Sequence, residues 1–231
     1  MIMKRNTITL QHKAFTMIEL VFVVIIIGIL AAMTLPRVER DIRQEAADNI
    51  LSAIRYAQHM ALIDDKQSYK DKNWHQKLWM IRFEDYNNGN IIYKIGADND
   101  KDGNIDQKDA AVNPLNGKYM FSTDATQDND EDPNIFLTKK YDITSVSFNN
   151  CKGEQSTSAK HIAFDNRGRP FRGILDTSSS TGGSSGASND LRTYIKNGQC
   201  EITFSSSFYD DIKIIILEET GYAYISDEEN S

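Results

Sequence analysis

The densest chemistry in this 231-residue chain lies at residues 98–109, DNDKDGNIDQKD. Asp98, Asp100 and Asp102 stand two apart, Gly103 follows, and Asn104, Asp106 and Asp109 complete the run. This is the calcium-loop pattern D-x-[DN]-x-[DN]-G, in which alternate oxygens converge on a hard cation and the glycine makes a sharp turn. Asp98, Asp100, Asp102, Asn104 (through its main-chain carbonyl), Asp106 and Asp109 then fill ligand positions 1, 3, 5, 7, 9 and 12, with apolar Ile105 at position 8. The twelfth residue is Asp109 rather than the usual bidentate Glu, which predicts weak to moderate Ca²⁺ affinity. Five Asp against two Lys leave the run at −3, so without an ion its carboxylates repel one another. The alternative is a solvated acidic turn that holds no metal. The preceding IIYKIG reads as strand, so the sequence predicts an EF-hand-like loop inserted between strands, without flanking helices.

Glu19 is the second loaded position. It is the single ionisable side chain among the 21 residues from Phe15 to Leu35, inside the run FTMIELVFVVIIIGILAAMTLP. Such a run predicts a membrane-spanning helix over 15–36. A carboxylate within it needs a partner and marks a functional position. Lys4, Arg5 and Lys13 precede the run with no acid among residues 1–14, whereas residues 37–48 mix Arg37, Arg40 and Arg43 with Glu39, Asp41, Glu45 and Asp48. That asymmetry predicts a cytoplasmic N-terminus and a C-terminal part on the far side.

Other candidates are weaker. Cys151 and Cys200 both lie in the part expected outside, where a disulfide is permitted; two independent buried thiols remain the alternative. Residues 124–133, DATQDNDEDP, form a second acidic run without a turn glycine, read as a mobile acidic loop rather than a metal site. Gly182 to Gly186 around Ser184 match G-x-S-x-G, but they sit in the Gly/Ser stretch 177–189 with no strand before and no helix after, so the nucleophile reading is rejected. His12, His59, His75 and His161 show no metal spacing, and no enzyme activity is expected.

The segment KAFTMIEL resembles the prepilin peptidase site of type IV pilins and pseudopilins. Lys13, Phe15, Thr16, Glu19, Gly28 and Pro36 stand where that family has them, while Ala14 replaces its usual Gly. The resemblance implies cleavage between Ala14 and Phe15, methylation of the new amine, and pairing of Glu19 with the Phe15 amine of a neighbouring subunit. It also implies a bend between Gly28 and Pro36, with a kink expected at Pro36, where proline removes a helix hydrogen bond. Ile162, Phe164, Gly168 and Pro170, with the WMIRF stretch, resemble the C-terminal half of minor pseudopilin H and related minor pilins. The implied function is that of a minor pseudopilin in a type II secretion pseudopilus. Its partners would be other pilin or pseudopilin subunits, prepilin peptidase, an inner-membrane assembly platform and the lipid bilayer. A minor type IV pilin for pilus initiation, adhesion or DNA uptake is the alternative; a membrane-anchored, calcium-dependent periplasmic binding module is a third reading. Localisation would be single-pass in the inner membrane with a periplasmic head, joining the pseudopilus after processing.

The elements that must carry these residues follow from pattern. Val38, Ile42, Ala46, Ile50, Ala53, Ile54, Ala57 and Ala61 recur at three and four, the stripe of an amphipathic helix over 37–64. KLWMIRF and IIYKI flank an Asn-Gly signal and predict a hairpin. ITSVSF, HIAF, CEITFS, DIKIIILEE and GYAYIS read as further strands, with IKIIIL central. The expected fold is α+β and pilin-like, a long transmembrane-plus-periplasmic helix packed on an antiparallel sheet head. Its parts are a leader (1–14), a span (15–36), an amphipathic helix (37–64) and a β-rich domain (65–231). Net charge is −7, and loss of the three leader bases takes it to −10, a balance that disfavours nucleic acid as partner.

Overall fold

A computed structural model describes residues 16–71, 74–86, 89–102, 104–151, 160–172, 195 and 198–226, with the backbone alone at 32–39. The chain divides into two compact units, Met1–Arg40 and Asp41–Ser231. One helix, α1 (Met17–Ile63), begins in the first unit and ends in the second. The helix continues through Gly28 and Pro36, where the sequence predicts a bend; the side chains of 32–39 lie outside the described residues.

Two expectations need correcting. Among the described residues, no helix is long and apolar enough to cross a membrane. The span over 15–36 and the single-pass inner-membrane placement are therefore overturned. The picture of a long helix laid on one antiparallel sheet fails as well. Among the described residues the head holds two four-stranded sheets, and the backbone of α1 makes no extensive close approach to any strand. Contact is made instead by side chains of its C-terminal half.

The first sheet has the order β2-β1-β4-β5, from β1 (Trp79–Tyr86), β2 (Asn90–Ala97), β4 (His161–Phe164) and β5 (Pro170–Phe171). The second has the order β3-β6-β7-β8, from β3 (Ile143–Asn149), β6 (Gln199–Ser206), β7 (Ile212–Leu217) and β8 (Ala223–Ile225). All the strand pairs are antiparallel. The β1–β2 hairpin pairs Trp79 with Ala97 and Tyr86 with Asn90, as two β-branched and aromatic runs around an Asn-Gly signal require. β7 lies inside its sheet with Ile212, Ile214 and Ile216 fully buried and Ile215 nearly so; its continuous apolar run reflects cover on both faces.

Phe83 of the first sheet meets Phe148 and Phe204 of the second edge-to-face, with ring centroids 6.1 and 5.2 Å apart. Ala46, Ile50, Ala53, Ile54, Ala57 and Ala61 of α1 share that buried cluster. Each of Ile50 and Ile54, buried completely, contributes about 1.5–3 kcal/mol. The same helix end is fastened by side chains that donate to loop carbonyls: Arg43 to Asp210 and Asp211, Asn49 to Asn134, Arg55 to Ala223, and Gln58 to both Gly168 and Thr220. The Gln58 site needs glycine twice. Gly168 and Gly221 have φ +78 and +64, and a Cβ on Gly221 would lie 2.0 Å from the Gly168 oxygen.

Candidate functional site

β2 is covered along seven of its eight residues, and it delivers Asp98 at its end with no exposed surface. The chain then turns on its own side chains. Asp98 Oδ1 accepts from the Asp102 N–H at 3.2 Å, and Asp102 Oδ1 from the Asn104 N–H at 2.9 Å; such Asx contacts are why Asp and Asn favour turns. Ile105 is fully buried in a small cluster with Leu78, Met80, Phe121, Ala163 and Phe171, and Trp74 packs at its edge. This apolar plug fixes the middle of the loop. A short 3₁₀ turn, Gln107–Asp109, with Asp106 before it, returns Asp109 to the site.

The six expected positions thus lie on one loop, and their carboxylates converge. One oxygen each from Asp98, Asp100 and Asp102 lies within 4.8 Å of the others, and a second triplet on the same measure comprises Asp100, Asp106 and Asp109. Asp100 belongs to both. Asn104 is exposed, and its amide donates to Asp106 Oδ1 at 3.4 Å. Gly103 lies outside the described residues. Lys108 Nζ stands among the oxygens, 2.5 Å from Asp100 Oδ2 and 3.6 Å from Asp106 Oδ2. The Lys108 hydrogen bond holds the Asp100 carboxyl below its ordinary range, and that bond raises Lys108 in turn.

Asp109 differs from its neighbours. Only 5 % of it is exposed. Its Oδ1 accepts from Asn99 Nδ2 at 2.9 Å, while its Oδ2 is buried without a hydrogen-bond partner. Two further residues shape the site that the spacing of acids does not reveal. Asn99 orients Asp109, and Gly96 gives the backbone room: a Cβ there would lie 2.5 Å from Ile105 Cγ2 and 2.6 Å from the Asp109 carbonyl oxygen. A glycine inside the strand-like IIYKIG was the available signal of that close approach.

The second acidic run is exposed at Asp124, Asp128 and Asp130 but buried at its end. Asp132 is fully buried and Glu131 nearly so. Asp132 accepts from Asn113 Nδ2 and caps the following 3₁₀ turn through the Asn134 N–H at 3.0 Å, while Glu131 accepts from the Asp128 N–H at 2.9 Å. Glu131 and Asp132 thus fasten the 113–135 region from within. Cys151 and Cys200 are joined by a disulfide, both fully buried. It links the residues just beyond β3 to β6, next to the Asn149–Glu201 pairing. His161 is also buried, and burial, reinforced by Arg82 and Arg172, lowers its pKa to about 3, so it is neutral at ordinary pH. The Gly182–Gly186 match lies outside the described residues.

The N-terminal candidates divide. Ala14 and Phe15 lie outside the described residues. Glu19 is exposed in the first turn of α1, where the positive end of the helix dipole favours a carboxylate. Its N–H donates to Thr16 Oγ1 at 3.3 Å, the N-cap half of a T-x-x-E capping arrangement. Around it the apolar side chains stand bare: Met17 is 90 % exposed, Phe22 64 % and Leu30 58 %. No family model, no curated protein and no solved structure matches the chain.

Proposed function

We propose that this chain is a structural subunit of a type II secretion pseudopilus, released by prepilin peptidase between Ala14 and Phe15. Assembly is by packing of its N-terminal helix against those of neighbouring subunits, in support of protein export across the outer membrane. The observation that carries the reading is the bare apolar face of α1 from Met17 to Leu30 with one acid, Glu19, in its first turn. Contiguous exposed apolar surface of this extent requires cover, and the KAFTMIEL motif supports cover by like helices. The apolar contact supplies area, and a Glu19–Phe15 amine pair between subunits supplies axial register. The chain's work is then mechanical, and its useful free energy is that of the subunit contact.

The test is to place a photo-crosslinking residue at Leu20 in cells making the chain with its secretion machinery, with and without Glu19→Ala. Breaking a buried charge pair costs about 3–5 kcal/mol, so crosslinked dimers should fall by about 100-fold or more while the folded head is retained. Undiminished crosslinking in Glu19→Ala would refute the register role.

A further inference from the structure

We infer that the loop from Asp98 to Asp109 is a calcium site that clamps the end of β2 and seats the small apolar cluster around Ile105. A cluster of acids alone would not carry this, because exposed carboxylates gather at many turns without a metal. The decisive feature is Asp109. A carboxylate oxygen sealed from solvent and left without a donor carries its full desolvation penalty, whereas a hydrogen-bonded one does not. Asp109 Oδ2 is in that state on a side chain with 5 % exposure, while a carboxylate oxygen of the same residue lies within 4.8 Å of oxygens from Asp100 and Asp106. Asn99 occupies the other oxygen and fixes the orientation. A divalent cation bound among these carboxylates supplies the missing partner.

The donor set selects the ion. The ligands are all oxygens, mostly carboxylate, with no His or Cys among the clustered residues, which suits a hard cation rather than zinc or copper. Two oxygen triplets hinged on Asp100 offer more than four ligands on an irregular loop. Calcium takes six to eight oxygens in flexible geometry, whereas magnesium demands a near-ideal octahedron and keeps its waters. Lys108, at 2.5 Å from Asp100 Oδ2, holds the place of a cation and swings away on a side chain that is 60 % exposed. Binding therefore exchanges a surface ion pair, worth little, for direct coordination.

The consequence reaches the fold. Ile105 is fixed between ligand positions and packs with Leu78, Met80 and Phe121, with Trp74 at the cluster edge. Calcium should tighten this cluster and change the fluorescence of Trp74.

The experiment uses the full chain in mild detergent, stripped with chelator and titrated with CaCl₂ or MgCl₂ by calorimetry, with tryptophan emission and thermal unfolding recorded in parallel. Expected are one Ca²⁺ per chain with Kd between about 10 µM and 1 mM and a Tm raised by about 5–10 °C at a hundredfold excess over Kd. Mg²⁺ should bind at least tenfold more weakly. Asp109→Asn should lose most of the affinity. Because that variant alters a buried group, Asp100→Asn at the loop surface is run beside it and should lose at least tenfold. Asp128→Asn, in the other acidic run, should leave binding unchanged. Absence of calcium heat together with an unshifted Tm overturns the site. So does equal loss of affinity in Asp128→Asn, which would mark diffuse charge screening.

Discussion

The disulfide between Cys151 and Cys200 offers the most exact test of how the head is held. The two residues are 49 apart in sequence, and the segment between them contains the Gly/Ser run 177–189, which in the unfolded chain behaves as a flexible coil. Closing a loop of that size removes about 4 kcal/mol of unfolded-state entropy at 25 °C on the chain-entropy relation. In the native state the bridge duplicates a constraint already present, since β3 and β6 are paired from Ile143–Ser206 to Asn149–Glu201. Nearly all of its contribution should therefore appear through the unfolded state. The Cys151→Ala/Cys200→Ala double variant is compared with the oxidised protein by urea unfolding of the full chain in detergent. It should be less stable by about 4 kcal/mol and melt about 8–16 °C lower, with native circular dichroism retained. Because both sulfurs are fully buried, reductant added to the folded protein should act only at the rate of unfolding. A loss below about 1 kcal/mol, or rapid reduction under native conditions, would refute the reasoning.

Two other perturbations test particular contacts. His161 stays neutral down to about 3 in the folded chain, while the unfolded chain takes up a proton near 6.5, so stability must fall as pH drops from about 6.5 towards 3; at pH 5 the loss is about 2 kcal/mol. Thermal melts at pH 7 and pH 5 should show it, and His161→Phe should flatten the slope between those values, above the range where carboxylates titrate. Gly221→Ala places a methyl 2.0 Å from the Gly168 oxygen at a positive φ and should cost about 2–4 kcal/mol. Gly117→Ala, at φ +70 with open space around it, should cost only about 1 kcal/mol; equal costs in urea unfolding would contradict the packed Gln58 site.

What the sequence shows and what it hides divide along physical lines. The acids of residues 98–109 are legible because ligand spacing within one loop is a local property, and the hairpin at 79–97 is legible because strand alternation and turn chemistry are local too. The burial of Asp109 is not, since it depends on Gly96 letting the returning 3₁₀ turn press against β2. Asp132 shows the same limit. In sequence it belongs to an acidic run, yet in the fold it is buried beneath Asn113 and caps a turn. The division of the head into two sheets rests on long-range pairings such as β1 with β4, which no periodicity encodes. Hydropathy over 15–36 suggested a span, whereas no helix among the described residues is long and apolar enough to cross a membrane. It still marked the bare apolar face on which the assembly proposal rests.

The proposal stands or falls on what happens at the N-terminus. Intact-mass measurement of the chain purified from a cell with active prepilin peptidase should find residues 1–14 removed and one methyl group added at Phe15. A chain that keeps Met1, or one cut elsewhere and unmethylated, would contradict it.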